Sequence, residues 1–289
     1  MAGPGLYLVA TPIGNLKDIT LRALEVLHRV DLIACEDTRV TGKLLKAHGI
    51  KTPMTPYHEH NAARVRPRLI AALKGGQAVA LVSDAGTPLI SDPGYKLVQA
   101  AIAEGVGVTP LPGACAALTA LTASGLPSDR FFFAGFLPNK KTARIKALKE
   151  LAPVPGSLVI YESARRLAAS LTDMAEVLGP RHAAVARELT KLHEELRRGA
   201  LAELAAHYQE AGAPKGEVVI VVAPPGPGAD GAEAPDLDAA LRAALEDHSL
   251  RDAVALVAQE TGRPRKEVYA RALELSALEL YSGKKDPGE

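Results

Sequence analysis

The chain has 289 residues, 47% of them hydrophobic and 23% charged, with a formal net charge of +1. This balance excludes a largely disordered chain and one that grips nucleic acid by bulk positive charge. Aromatics make up 4% and tryptophan is absent, so the core must be aliphatic.

In chain order, "LYLVA" (6–10) reads as a buried strand and "TLRALEVLHR" (20–29) has the apolar spacing of a helix. "VDLIAC" (30–35) is a second strand, followed by the helix "TGKLLKAHG" (41–49). A third unit shows "NAARVRPRLIAALKGG" (61–76) as a helix closed by glycines. "AVALV" (78–82) is the fourth strand, "YKLVQAAIAEG" the helix after it, and "GVGVTPLPG" (105–113) the fifth strand and its turn. "ACAALTALTAS" (114–124) is a helix of small residues. Strands alternating with helices predict a mostly parallel sheet. "GLPSD" (125–129) is a hinge, and strands recur at 130–136, 157–161, 183–188, 193–199 and 217–222, with helices at about 141–150, 164–178 and 200–211.

This reading predicts an α/β protein of two α/β domains, a mostly parallel sheet over 1–124 and a mixed sheet over 125–222. A Pro/Gly-rich linker (223–235) and a small helical appendage (236–289) complete it. Within the appendage, "DAVALVAQETGRPRKEVYARAL" has the cadence of a helix-turn-helix. Cys35 and Cys115 sit in apolar segments, offer no metal spacing and fit a reducing compartment. No basic, apolar leader opens the chain and no apolar run reaches membrane-spanning length, so a soluble cytoplasmic protein without a membrane partner is expected. Basic clusters at 64–68, 139–146, 165–166, 197–198, 262–266 and 283–285 each read most simply as solvated faces.

The most informative stretch is "VSDAGTPLISDPG" (82–94), a long polar loop where a strand-to-helix connection needs only a few residues. Open α/β sheets bind ligands at the carboxyl ends of their strands. "TPIGNLKDIT" (11–20) and "PLPGACAA" (110–117) follow two other strands, so three loops of small residues and prolines share one edge. Small side chains let a ligand approach the backbone closely. The phosphate loop, the dinucleotide fingerprint and the nucleophile elbow are all missing. "HEH" (58–60) reads as a polar loop, because zinc sites normally bring three or four spaced ligands. No metal is expected.

Seven segments in order, among them "LYLVATPIGNLKDITLRALEVLHRVDLIACEDTRVTGKLL", "VSDAGTPLISDPG", "PLPGACAALTAL", "VIYESARRL", "VARELTKLHEEL" and "KGEVVIVV", resemble the ribosomal RNA small-subunit methyltransferase I family of the tetrapyrrole methylase superfamily. The resemblance runs from about residue 5 to 222, and the tail at about 236–282 is similar too. It implies S-adenosyl-L-methionine as methyl donor, bound between two α/β domains, and methylation of the ribose 2′-hydroxyl of a cytidine in the decoding centre of 16S rRNA. It implies a homodimer that acts on the 30S subunit and not on DNA. Carried over motif by motif, the cofactor contacts fall on Ile13, Gly86, Thr87, Ile90, Cys115, Ala116, Tyr161, Ala186, Lys215 and Gly216. The first loop's Thr-Pro-Ile-Gly-Asn and the second loop's Gly-Thr-Pro depart from the tetrapyrrole-modifying branch and disfavour a porphyrinoid substrate.

A ribose hydroxyl is a poor nucleophile until its proton leaves, so a base or a polarising cation should help. Candidates are Asp37, Arg39 and Lys191, in a wider set with Glu36, Asp84, Asp92, Arg187 and Glu188. Asp37 equally fits a helix cap. The competing readings are a methyltransferase of a tetrapyrrole or other small substrate, and a ribosome-binding protein without turnover.

Overall fold

A computed structural model describes residues 2–226, 237–261 and 264–282. The first half alternates β1 (Gly5–Val9), α1 (Leu21–Arg29), β2 (Leu32–Cys35), α2 (Thr38–Ala47), β3 (Met54–Pro56), α3 (Ala62–Lys74), β4 (Ala78–Val82), α4 (Tyr95–Ala103), β5 (Val108–Leu111) and α5 (Ala116–Ser124). The strands form a wholly parallel sheet in the order β3-β2-β4-β1-β5. Parallel strands covered on both faces need apolar residues throughout, and every residue of β4 is buried. One face packs on Ala23 and Leu27 of α1 with Leu44 and Leu45 of α2. The other packs on Leu69 and Leu73 of α3 with Leu97 and Ala101 of α4.

Local signals set the starts of α1 and α2. The Thr20 hydroxyl accepts from the Ala23 amide at 3.1 Å, and the Asp37 carboxylate accepts from the Arg39 amide at 2.8 Å. That second cap starts α2 at Thr38, ahead of the 41 that periodicity predicted. β3 has only three residues, too few to show a period, which is why the sequence revealed the helix of this unit and not its strand.

The second half runs β6 (Phe131–Phe136), α6 (Lys141–Leu151), β7 (Ser157–Ser163), α7 (Leu167–Leu178), β8 (His182–Arg187), β9 (Glu195–Ala200), α8 (Leu201–Ala211) and β10 (Glu217–Val222). Its sheet has the order β6-β7-β10-β8-β9, with β6 and β7 parallel and the remaining pairs antiparallel. Side chains alternate with period two. Leu158, Ile160, Val185, Val218, Ile220 and Val222 face the α6–α7–α8 layer, whereas Val159, Ala186, Val219 and Val221 face the other way.

α5 covers that second face. Its small residues Ala117 and Ala120, with Leu121, pack on Val159, Ala186, Val219 and Val221. Arg198 donates to the carbonyls of Ser124 (2.8 Å) and Ala123 (2.6 Å), which satisfies the carboxyl end of α5. Arg197 pairs with Glu195, so the 197–198 cluster is structural. α5 therefore fixes the two sheets relative to one another.

The tail holds α9 (Leu237–Asp247), α10 (Leu250–Thr261) and α11 (Arg265–Ser282), packed through Leu241, Ala253, Val257, Val268, Ala272 and Leu275. α11 runs past the expected end near residue 275. The expected linker beyond 226, residue 236, residues 262–263 of the basic cluster 262–266 and the basic run 283–285 lie outside the described residues. Among the described residues no helix is long and apolar enough to cross a membrane.

Candidate functional site

Three loops leave the carboxyl edge of the parallel sheet and are tied to one another by hydrogen bonds. Thr11 and Gly86 exchange backbone bonds of 2.9 and 3.0 Å, joining the loop after β1 to the loop after β4. The Thr87 hydroxyl donates to the Ala114 carbonyl at 3.0 Å, joining that loop to the one after β5. Within the long loop Leu89 and Ser91 have φ of 73° and 63°. Non-glycine residues in this left-handed region are uncommon and collect where function holds the backbone in place.

The opposite wall comes from the second sheet. Antiparallel register sets Val219 of β10 directly between Tyr161 of β7 and Ala186 of β8, so the three form one row across the sheet. Phe133 and Phe136 stack edge-on against Tyr161, with ring centroids 4.9 and 5.5 Å away. The Tyr161 oxygen accepts from the Ala117 amide at 3.2 Å, and burial pushes its phenol up to about 12, so it stays protonated at neutral pH. Leu189 and the segment 214–217 close the rim.

Between the walls lies a cleft of about 710 Å³, within the usual range for small-molecule sites. Nine of the ten residues expected to bind cofactor line it: Ile13, Gly86, Thr87, Ile90, Ala116, Tyr161, Ala186, Lys215 and Gly216. Cys115 lies just outside, half-buried in the apolar cluster that backs the cleft.

The two walls touch at Gly14. A β-carbon there would lie 2.4 Å from Lys191 Cγ and 2.9 Å from Thr190 Oγ1, and the Asn15 amide donates to that Thr190 hydroxyl at 3.2 Å. Glu188 and Thr190 also have positive φ, 50° and 66°, so the backbone is strained on both sides of the cleft.

The acidic groups sort by environment. Asp92 lines the cleft, and burial, with the negative charges of Glu36 and Asp84, pushes its carboxyl up to about 6 against a lowering by the Ser83 hydroxyl. Burial likewise raises Glu36 and Asp84. Asp84 lines the cleft and accepts from the Asp37 amide at 3.0 Å. Asp37 and Arg39 do not line it. Their side chains pair at 2.6 Å, and hydrogen bonding from Arg39 holds the Asp37 carboxyl at about 2. Lys191 does not line the cleft either and is bound to Glu188 (2.8 Å) and Glu217 (2.9 Å). Burial works against its charge, and these two carboxylates outweigh it and raise its pKa.

Sequence reasoning missed Val219, Leu189, Phe136 and the Glu162–Arg165 segment as cleft residues. The alternation in "EVVIVV" marks two faces but not which one meets a ligand. The His58 and His60 rings lie 6.1 Å apart, and among the described residues no group of three or more histidine, cysteine or acidic side chains is placed to hold a metal ion.

Residues 5–205 match the family model described as Tetrapyrrole (Corrin/Porphyrin) Methylases, and residues 231–276 match that of the RsmI C-terminal HTH domain. A protein of Mesorhizobium japonicum named ribosomal RNA small subunit methyltransferase I is 54% identical, over 99% of this chain and 96% of its own length. One of the same name from Erythrobacter litoralis is 57% identical over 94% of this chain and 95% of its own. The fold is similar to that of a uroporphyrin-III C-methyl transferase from Thermus thermophilus solved with S-adenyl homocysteine. That similarity has a TM-score of 0.52 at 20% identity, and covers 75% of this chain and 96% of that one. On the strength of these matches, which span both sheets and the tail, the chain belongs to the ribosomal RNA small subunit methyltransferase I family of the tetrapyrrole methylases.

Proposed function

We propose that this protein is an S-adenosyl-L-methionine-dependent methyltransferase of the ribose 2′-hydroxyl of a cytidine in the decoding centre of 16S rRNA, acting on the assembled 30S subunit. The observation that carries the reading is identity of 54–57% over nearly the whole chain to proteins named for small-subunit rRNA methylation. A homodimer acting in the cytoplasm belongs to the same reading. So does a division of labour in which residues 1–124 supply the three loops and 125–222 the opposite wall.

The cleft suits the donor. Ile13, Ile90, Ala116, Ala186, Leu189 and Val219 provide apolar walls for an adenine and an aliphatic chain, while Asp84 favours a cation. When bound, the donor supplies an electrophilic methyl group on a positively charged sulfur. The protein aligns the hydroxyl with it, excludes water between the two walls and takes the proton. Asp92 suits that last step better than Asp37, because it lines the cleft and has no ion pair among the described residues. A carboxylate with pKa near 6 is a stronger base than an ordinary one and still ionised at neutral pH.

Labelled donor is expected to methylate unmethylated 30S subunits at one cytidine and to leave the adjoining phosphodiester resistant to alkali. Protein-free 16S rRNA and a uroporphyrinogen are the parallel substrates. Label in the porphyrinogen alone would assign a tetrapyrrole substrate instead, and donor binding without any transfer would leave a ribosome-binding role.

Gly216 tests the cradle separately. Its φ is +101°, and an added β-carbon would lie 2.3 Å from the Glu188 carboxyl group. An alanine there must displace the Glu188 carboxylate or shift the 214–217 backbone that lines the cleft, so Gly216→Ala should weaken donor binding about tenfold or more. Titration calorimetry checks it, and unchanged affinity would place the donor away from the 214–217 rim.

A further inference from the structure

We propose that the helical tail carries an RNA-phosphate docking groove, separate from the cleft and formed by Arg251, Arg265, Lys266 and Tyr269. The inference rests on the rRNA reading only for the identity of the strand.

The groove is a depression of about 310 Å³ between α10 and α11, lined by these four residues and Val254. Val254 is 3% exposed and forms the floor, whereas Tyr269 is 46% exposed. Positions 251 and 254 are one turn apart on α10, as are 265 and 269 on α11, so each helix presents one face to the depression. No acidic residue lines it, and Arg251, Arg265 and Lys266 have no ion pair among the described residues. Arg271 of the same helix as Arg265 and Lys266, by contrast, is paired. Arg271 binds Asp238 and Glu274, each at 2.6 Å, and Asp252 accepts from the Ser249 hydroxyl at 2.7 Å. Three cations without an ion pair among the described residues line one small depression, and an anionic ligand would relieve their mutual repulsion.

The chemistry selects a nucleic acid strand over an acidic protein segment. Guanidinium groups take phosphate oxygens through two parallel N–H donors, and lysine adds a point charge. The exposed Tyr269 ring offers a flat face on which a base or ribose can lie, a use that an acidic peptide lacks. Helix-turn-helix proteins approach nucleic acid through the first residues of their second helix. Arg265, Lys266 and Tyr269 stand on the first turns of α11 in the same way. The deep major groove of an RNA helix excludes side chains from its base edges, so the contact is to the backbone or to an unpaired segment. This groove would tether the subunit while the cleft handles the target nucleotide.

The test uses the full chain carrying Arg251→Ala, Arg265→Ala and Lys266→Ala together, titrated with 30S subunits over a range of salt. The dissociation constant is expected to rise about tenfold or more near 0.1 M salt, and the slope of log affinity against log salt to flatten by about 2. Methyl transfer at saturating subunit should keep its kcat and show the loss in KM, with donor affinity unchanged by calorimetry. Tyr269→Ala alone should weaken binding without flattening the slope. Unchanged affinity and slope in the triple variant would overturn the proposal. So would weakened binding to subunits with equal binding of both chains to protein-free 16S rRNA, since the groove would then meet a ribosomal protein. Equal competition by a DNA duplex would overturn its assignment to RNA. A parent chain that binds neither subunits nor rRNA would remove the rRNA reading along with this one.

Discussion

Asp92→Asn is expected to lower kcat by about 10²–10⁴-fold, the usual contribution of a positioned general base, while donor and subunit affinities stay within about twofold. In the parent protein the ionised form of Asp92 accepts the proton, so kcat should rise with pH through about 6 and level off above it, and the variant should lose that rise. The stability consequence has the opposite sign. The folded-state pKa of about 6 lies above the ordinary 3.8, so the native protein holds this proton more tightly than the unfolded chain does. Asp92 therefore favours the fold most below about pH 4, and that contribution is lost as pH rises to about 6. Asparagine removes a desolvated charge. The variant should melt above the parent at pH 8 and level with it at pH 4. An inactive variant that melts lower at pH 8 would make Asp92 a structural residue. Full activity would return the proton-acceptor role to another group on the cleft.

The second large effect concerns the fold alone. Asp173→Ala should cost about 3–5 kcal/mol of stability, because it strands a buried guanidinium. Asp173 and Arg144 are 2% and 5% exposed; the arginine Nε donates to Asp173 Oδ2 at 2.7 Å, and Nη2 lies 2.7 Å from the same oxygen. Arg144 also ties down the carbonyl of Asn139 at 3.1 Å, so it anchors the entry to α6 against α7. Lys141 reaches Asp173 from an exposed position, but as a cation it cannot replace the missing carboxylate. Removing both charges is different. An Arg144→Met, Asp173→Leu pair should recover most of the loss, since buried ion pairs often exchange for apolar residues at little net cost. Denaturant titration of the three variants checks this. A single-variant loss below about 1 kcal/mol, the size found for exposed pairs, would show that water reaches the arginine.

Patterns that depend only on neighbours along the chain were legible before the fold was known. β4 and β10 begin and end at the residues their apolar runs indicated. The loop at 82–94 stood out because its length and composition exceed what a turn requires. The parallel character of the first sheet followed from the alternation of strands and helices. Motif order pointed to the family, and with it to residues that the structure gathers in one cleft. The elements are properties of sequence spacing, which survives without tertiary contacts, whereas the cofactor residues came from the family resemblance alone.

Which groups remain available for chemistry was a different matter. "EDTR" and "SDAGTPLISDPG" offered Glu36, Asp37, Asp84 and Asp92 as similar carboxylates. Folding separated them: Asp37 caps α2 and pairs with Arg39, Asp84 holds the Asp37 amide, and Asp92 faces the cleft. The row Tyr161–Val219–Ala186 likewise depends on β10 entering between β7 and β8 in one register, and no local pattern encodes that choice. In the tail, sequence showed a helix-turn-helix cadence, but only packing showed that Arg271 is paired while Arg251, Arg265 and Lys266 line one depression with no ion pair among the described residues. The sequence alone determined most of the elements, their order and the family. Tertiary structure decided which charges are neutralised, buried or left facing a ligand, because desolvation and pairing depend on residues far apart in the chain.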